Sequence, residues 1–169
     1  MKKALITLVF LVAATAMFAQ APIGIGQAQI NAGFGFSSWG LPVYGGIDFG
    51  VHKDITVGGE LSFRSYNDYY GSNNISSGHT IIGISANGNY HFNTLLDIPE
   101  EWDVYAGANL GYYIWHTNDS NYKGSGSSGL GLGIQVGGRY YFNDKFGINL
   151  EFGSGNSFSG GKVGISIRL

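Results

Sequence analysis

The chain has 169 residues, of which only 12% are charged, with a net charge of -2 and no cysteine. A slightly acidic chain lacks the basic face that nucleic acids require, so we expect no nucleic-acid partner. The lack of cysteine excludes a disulfide scaffold and a lipoprotein acylated on cysteine. The charged fraction is about half that of soluble domains, while aromatic residues reach 15%.

The N-terminal segment has the layout of a secretory signal. Two lysines precede an apolar run that extends to about Ala16, and small residues follow at Ala19 and Ala21. This order of basic, apolar and small residues is typical of a signal peptide that is cleaved during export. We predict cleavage after Ala19, so that residues 1–19 are removed and residues 20–169 form a single domain.

Beyond the signal, apolar residues alternate with small or polar residues in segments separated by turn-rich clusters, which predicts β-strands. There is no convincing helical period, and no stretch reaches the ~18 apolar residues of a membrane-spanning helix. The predicted strands, in chain order, are Ala28–Ser37, Val43–His52, 55–66, 79–92, 104–116, 130–142, 146–153 and 162–169.

Each predicted strand has one apolar face, and the charges fall on the other. In the segment 104–116 the apolar face consists of Val104, Ala106, Ala108, Leu110, Tyr112 and Ile114. Strands of this kind have a mean hydropathy near zero, and the mean hydropathy of the whole chain is +0.04. The pattern is typical of strands that face lipid on one side. We therefore predict an all-β fold, an eight-stranded antiparallel up-and-down transmembrane β-barrel.

The connections differ in length between the two ends of the predicted barrel. Residues 53–54 and 143–145 form tight turns, as expected on the periplasmic side. The segments 67–78, 118–129 and 154–161 are longer and rich in Gly, Ser and Asn, so we predict that they face outward. Aromatic residues near the strand ends predict two interfacial girdles: Tyr90, Phe92, Tyr140, Phe142 and Phe146 inside, and Phe34, Phe36, Phe63, Tyr112 and Phe152 outside.

Two segments carry a resemblance to a known family. VYAGANLGYY at 104–113 and GGRYYFNDKFGINLEFG at 137–153 resemble the later strands of small porin-like outer-membrane barrels related to OmpA, OmpX and OmpW. The resemblance implies a bacterial outer-membrane location. We expect outer-membrane lipids and lipopolysaccharide as partners, barrel-assembly machinery and periplasmic chaperones during biogenesis, and a monomer. Members of one fold family differ widely in function.

The interior face holds the charged side chains that we expect to be buried: Asp48, Glu60, Arg64, Arg139, Glu151, Lys162 and Arg168. Arg139 and Glu151 are expected to be diagonal neighbours through the turn at 143–145. Asp48 and Glu60 are close through the turn at 53–54 and would repel each other unless a cation lies between them. Our hypothesis is an ion-pair network that plugs the lumen. The alternative is that trapped water solvates these groups.

No residues form a convincing catalytic or metal site. His116, Asp119 and Ser120 lie together at an outer strand end, but a trio in a Ser-rich loop arises easily by chance. The four histidines lie at different strand ends and lack the spacing of metal ligands. We predict no enzyme activity, no metal and no cofactor.

The functional hypothesis is a structural or surface-interaction protein with any specificity in its outer loops. Tyr69, Tyr70, Trp115 and Tyr122 are candidate contacts, although these rings could instead anchor the barrel at the lipid interface. One alternative is a narrow conduit for small hydrophobic molecules, like OmpW, which requires an apolar internal pocket. A second is a soluble periplasmic lipocalin-like barrel that binds a ligand, in which the apolar faces would point inward.

Overall fold

Eight strands and one helical turn make up the structure, a computed structural model that describes residues 22–37, 40–70, 75–117, 128–155 and 159–169. The strands are β1 (Ala28–Ser37), β2 (Val43–His52), β3 (Ile55–Tyr70), β4 (Ile75–His91), β5 (Trp102–Thr117), β6 (Gly129–Tyr141), β7 (Phe146–Gly155) and β8 (Gly160–Arg168). The helical turn, α1 (Asn93–Leu96), lies between β4 and β5.

The strands form one closed antiparallel barrel in sequence order. Closure comes from β1, which pairs with β2 on one side and with β8 on the other. Gln29 lies opposite Asp48 on β2 and opposite Arg168 on β8. The predicted fold class, an eight-stranded up-and-down barrel, is confirmed.

The two faces of the barrel wall differ in polarity, because successive side chains on a strand point to opposite sides and the sequence alternates between apolar and polar residues. Large apolar residues such as Leu110, Leu132 and Ile134 are more than half exposed on the outside. The buried side chains inside are mainly polar. A soluble lipocalin-like barrel needs the reverse arrangement, so that alternative is excluded.

β3, β4 and β5 extend furthest beyond their predicted bounds, while β6, β7 and β8 differ from theirs by one or two residues at an end. β3 and β4 pair continuously up to Tyr70 opposite Ile75, so the prediction of a loop at 67–78 was wrong. Since ~9 to 11 residues cross a bilayer, this hairpin continues past the membrane, where its polar residues remain in a hydrogen-bonded ladder. β5 begins at Trp102 and therefore includes Asp103.

The connection between β4 and β5 contains the helical turn α1, which the strand pattern did not predict. Asp97 follows it in the left-handed conformation, with φ of 50°, which Asp adopts more readily than most residues. Within the described ranges, no helix is long and apolar enough to cross a membrane.

Candidate functional site

The barrel lumen is the candidate site because it contains nearly all the buried polar side chains. Each strand contributes every second residue to it, so the sequence period alone assigns a side chain to the interior. Buried polar or charged residues on the strands are Gln29, Asp48, Thr56, Arg64, His79, Asn89, His91, Asp103, Gln135, Arg139, Asn149, Ser166 and Arg168.

Near the periplasmic end, Arg139 lies between two carboxylates, and these three residues form the inner cluster. Its Nη1 donates to Asp103 Oδ2 and its Nη2 to Asp48 Oδ2, each at 2.8 Å. Asp48 lies on β2 and Arg139 on β6, four strands apart in a closed ring of eight. The ion pair therefore joins opposite walls of the lumen.

Asp103 also holds His91, which in turn contacts Thr56. His91 Nδ1 lies 2.6 Å from Asp103 Oδ1, and its Nε2 lies 3.0 Å from the Thr56 hydroxyl. This order of hydroxyl, imidazole and carboxylate resembles the relay of a serine hydrolase. All three side chains are almost completely buried, at 1%, 0% and 1% exposure for Thr56, His91 and Asp103. A substrate has no access to this hydroxyl, so the arrangement is structural.

Further toward the outer end, Lys162 also lies between two carboxylates, and these three residues form the middle cluster. Its Nζ is 2.7 Å from Glu60 Oε1 and 3.2 Å from Glu151 Oε1. The Tyr105 hydroxyl donates to Glu151 Oε2 at 2.9 Å, while the Tyr105 ring lies 4.3 Å from the Arg139 guanidinium. Tyr105 therefore links the inner and middle clusters.

Neutral side chains fill the space between the charged groups. Asn109 donates to Gln135, which donates to Asn89, both at 2.7 Å. On the other side, the Tyr44 hydroxyl donates to Asn149 at 2.6 Å. Buried amides need such partners, and here the partners come from different strands.

The remaining two predicted network residues, Arg64 and Arg168, are also buried, Arg64 beside the middle cluster and Arg168 apart from it. Arg168 stacks on the Tyr141 ring at 3.4 Å and forms no ion pair with a residue that the structure describes. The Tyr141 hydroxyl donates to Gln29. Arg64 lines a cavity together with Glu60.

Small cavities lie among the described lumen side chains, and two of them adjoin the middle cluster. Their volumes, counted as space for the centres of water molecules, are about 30 and 20 Å³. A water molecule needs roughly 10–15 Å³ on this measure, so the larger cavity has room for two or three waters and the smaller for one or two. Their linings are predominantly polar, with Tyr44, Glu60 and Asn87 common to both.

Aromatic side chains from three strands meet near the outer end of the lumen. The Tyr66 ring stacks on His79 at 5.1 Å between centroids and contacts Trp115 edge-on at 6.3 Å. Of the predicted loop contacts, Trp115 thus packs beside the lumen. Tyr69 and Tyr70 belong to the outer part of β3.

Some of the predicted residues cannot be placed. Tyr122, Asp119 and Ser120 lie outside the described residues. His116 is exposed at the outer end of β5.

Lumen tyrosines lie opposite glycines on the neighbouring strand. Tyr105 pairs with Gly137, Tyr113 with Gly83, and Tyr141 with Gly147. A Cβ at Gly137 would overlap the Tyr105 ring, so glycine makes room for an aromatic side chain in a narrow barrel.

We predict that Gly137→Ala lowers the free energy of unfolding by about 1–3 kcal/mol, the usual cost of overpacking. The added methyl group displaces Tyr105 and with it the contact to Glu151. Urea unfolding in lipid vesicles measures the change. Gly138→Ala is the matched control, because Gly138 faces outward and its Cβ would approach only the Asp103 carbonyl, at 3.6 Å. Equal effects of the two variants would contradict this explanation.

The structure brings together part of the predicted network and changes the pairing within it. Arg139 and Glu151 are diagonal neighbours, with Arg139 opposite Asn149 and Glu151 opposite Gly137. Their ionic partners, however, come from other strands. Cations also lie beside Asp48 and Glu60, namely Arg139 and Lys162.

Asp103, His91 and Thr56 were missed by the sequence reasoning. The predicted strand begins at residue 104 and leaves Asp103 out, although the alternation extends one step back from Tyr105 to Asp103. The same period places Thr56 and His91 on the inner face, but it does not show which residues meet across the lumen.

Comparison with known proteins identifies the type of barrel. The family model of the outer membrane protein beta-barrel domain matches residues 4–166. No curated protein matches the sequence. The outer membrane protein OprG from Pseudomonas aeruginosa has a similar structure, with a TM-score of 0.67 and 10% identity, covering 90% of this chain and 99% of OprG.

Two further solved structures share the fold. The N-terminal β-barrel domain of Pseudomonas aeruginosa OprF has a TM-score of 0.54 and 19% identity, covering 87% of this chain and 100% of that domain. The Yersinia pestis outer membrane protein Ail, in a phospholipid bilayer nanodisc, has a TM-score of 0.55 and 13% identity, covering 85% and 99%. These findings confirm the resemblance to small outer-membrane barrels. The chain belongs to the outer membrane protein beta-barrel domain family and is a protein of the bacterial outer membrane.

Proposed function

We propose that this protein is a non-enzymatic structural or surface-interaction protein of the outer membrane whose lumen is closed by its own side chains. The observation that carries the proposal is the Arg139 side chain, which spans from β6 to Asp48 on the opposite wall at 2.8 Å. An eight-stranded interior is only just wide enough for side chains to fill it.

The charges of the lumen support closure. Four carboxylates, Asp48, Glu60, Asp103 and Glu151, face four cations, Arg64, Arg139, Lys162 and Arg168, among the described side chains of the strands. Because the positive and negative charges balance, side chains on opposite walls attract each other, and little net electric field remains to draw ions into the lumen.

A conduit for small hydrophobic molecules finds less support. Such a conduit needs an apolar internal pocket, whereas acidic, basic and amide side chains line the two lumen cavities. Their space suffices for a few waters and not for a hydrophobic solute.

Conductance in planar lipid bilayers tests the closed lumen. We expect no steady ionic current through the wild-type protein. Replacing all six residues of the inner and middle clusters by alanine removes every carboxylate of the clusters together with its cation, so no buried carboxylate is left unpaired, and should produce a measurable current.

Only protein with a heat-modifiable band, the sign of a folded barrel, is used for these recordings. The control is Val136→Ala, a lipid-facing change on the same strand as Arg139, which should not alter the current. A stable open channel in the wild type, or a folded six-alanine variant that does not conduct, would overturn the proposal.

The outer loops are the proposed location of any binding specificity. The hairpin of β3 and β4 continues past the membrane-spanning region, and its outer part includes positions 69 and 70, which are both tyrosine. Aromatic residues among Gly, Ser and Asn suit adaptable recognition.

We predict that replacing Tyr69, Tyr70 and Tyr122 by serine reduces adhesion of producing cells to host-cell or abiotic surfaces several-fold and leaves barrel assembly intact. Adhesion counts and heat-modifiable electrophoresis measure the two properties. The control is Tyr112→Ser on the lipid-facing surface. Unchanged adhesion would contradict a binding role for these tyrosines.

A further inference from the structure

The connection between β4 and β5 differs from the other inner connections because it exposes leucines. The β2–β3 and β6–β7 connections are short, at 53–54 and 142–145, and their turn residues 53–54 and 143–145 are polar. In α1, by contrast, Leu95 and Leu96 are 66% and 62% exposed. Exposing two adjacent leucines to water is unfavourable, since burial of an apolar side chain is one of the main stabilising forces in proteins.

Polar side chains attach this connection to the barrel. Asn93 donates to the Trp102 carbonyl at 2.6 Å and accepts from the Val104 amide at 3.3 Å. The Thr94 hydroxyl donates to the buried Asp54 carboxylate at 2.5 Å. The polar residues of α1 therefore contact the barrel, while its leucines point away from it. A helical turn in water would be expected to have the opposite arrangement.

The connection that carries the exposed leucines begins and ends at the lipid-facing surface of the barrel. Phe92 and Trp102 flank the connection, and Trp102 contacts the Tyr140 ring at 4.7 Å. These three aromatic residues line an apolar groove of about 960 Å³ on the outer wall, together with lipid-facing residues of β5 to β8. The apolar surface that meets the bilayer is thus continuous with the base of α1.

We propose that Leu95 and Leu96 insert into the interfacial region of the periplasmic leaflet, so that α1 is a membrane anchor on the inner side of the barrel. Apolar side chains on a short surface segment insert at this depth in interfacial anchors. The neighbouring residues Asp97, Glu100 and Glu101 remain in water. The alternative is that the leucines contact a periplasmic protein. In vesicles that contain only lipid, the leucines lie in lipid if they anchor in the bilayer and in water if they need a protein partner.

Site-directed spin labelling distinguishes them, and the chain contains no native cysteine that would interfere. Single variants Leu95→Cys and Leu96→Cys are labelled and reconstituted into vesicles of phosphatidylethanolamine and phosphatidylglycerol. The collision rates of the label with oxygen, which partitions into lipid, and with a water-soluble nickel chelate are then compared. Each labelled variant must first give the heat-modifiable band.

Leu132→Cys on the lipid face and Glu100→Cys on the same connection are the controls. We expect the labels at 95 and 96 to favour oxygen over nickel, as at 132, and the label at 100 to favour nickel. Labels at 95 and 96 that match the label at 100 would place the leucines in water and overturn the proposal. This test is independent of the conductance test, because the depth of the labels in the bilayer does not depend on whether the lumen conducts ions.

Discussion

Replacing Arg139 by alanine is expected to lower the free energy of unfolding by about 3–5 kcal/mol, the range for breaking a buried ion pair by removing one partner. The loss is large because Arg139 is 4% exposed and its partners Asp48 and Asp103 are 2% and 1% exposed. Without the guanidinium, two carboxylates remain buried without their cation. Equilibrium unfolding by urea in lipid vesicles, followed by the heat-modifiable fraction, measures the change.

A compensated variant separates the ion pair from simple loss of packing. Asp48→Asn and Asp103→Asn, added to Arg139→Ala, remove the unpaired charges and should restore part of the lost stability. Lys53→Ala is a surface comparison, because Lys53 is 63% exposed and its pair with Asp54 is 3.7 Å long. Exposed pairs of this kind contribute at most about 1 kcal/mol. An effect of Arg139→Ala no larger than that of Lys53→Ala would contradict the buried network.

The second large effect is expected on the opposite face of the wall. Ala108 is exposed on the lipid-facing side of β5, between Gly88 on β4 and Ile134 on β6. Arginine on this face near the middle of the membrane costs about 2–4 kcal/mol. We therefore predict that Ala108→Arg lowers the free energy of unfolding by this amount and reduces the yield of folded protein.

Two variants control for size and for position. Ala108→Leu adds volume without charge on the lipid side and should be tolerated. Asn109→Arg places the same charge on the next residue, which faces the lumen and bonds to Gln135, so its effect should come from crowding. If Ala108→Arg unfolded at the same urea concentration as Ala108→Leu, the outer face at this position would not be in contact with lipid.

Much of the wall could be predicted from the sequence because a strand has a period of two. The alternation from Val104 to Ile114 assigned every lipid-facing residue of that segment, since a slip of one residue would expose all of the polar face to lipid. The pattern is weaker where both faces are polar. It therefore placed the end of β3 near Tyr66, whereas the strand continues to Tyr70.

The pairing inside the lumen could not be predicted in the same way. Neighbouring strands can be aligned through a tight turn, which is how Arg139 and Glu151 were recognised as diagonal neighbours. The contact from Arg139 to Asp48, however, joins residues 91 positions apart on opposite walls. It depends on closure of the ring and on the register of every intervening strand pair, for which the sequence has no local pattern.

Pairing of β1 with β8 has a consequence for folding. The two strands are separated by nearly the whole domain, with Gln29 opposite Arg168, so the contacts that close the ring are among the most distant in the chain, and the barrel is open until they form. Until then both strands have unpaired edges, which can join other chains and aggregate. Contacts of such long sequence separation form slowly. We therefore expect closure of the ring to be slower than formation of the tight-turn hairpins, and the edges of β1 and β8 to be the part of the unclosed chain most exposed to aggregation.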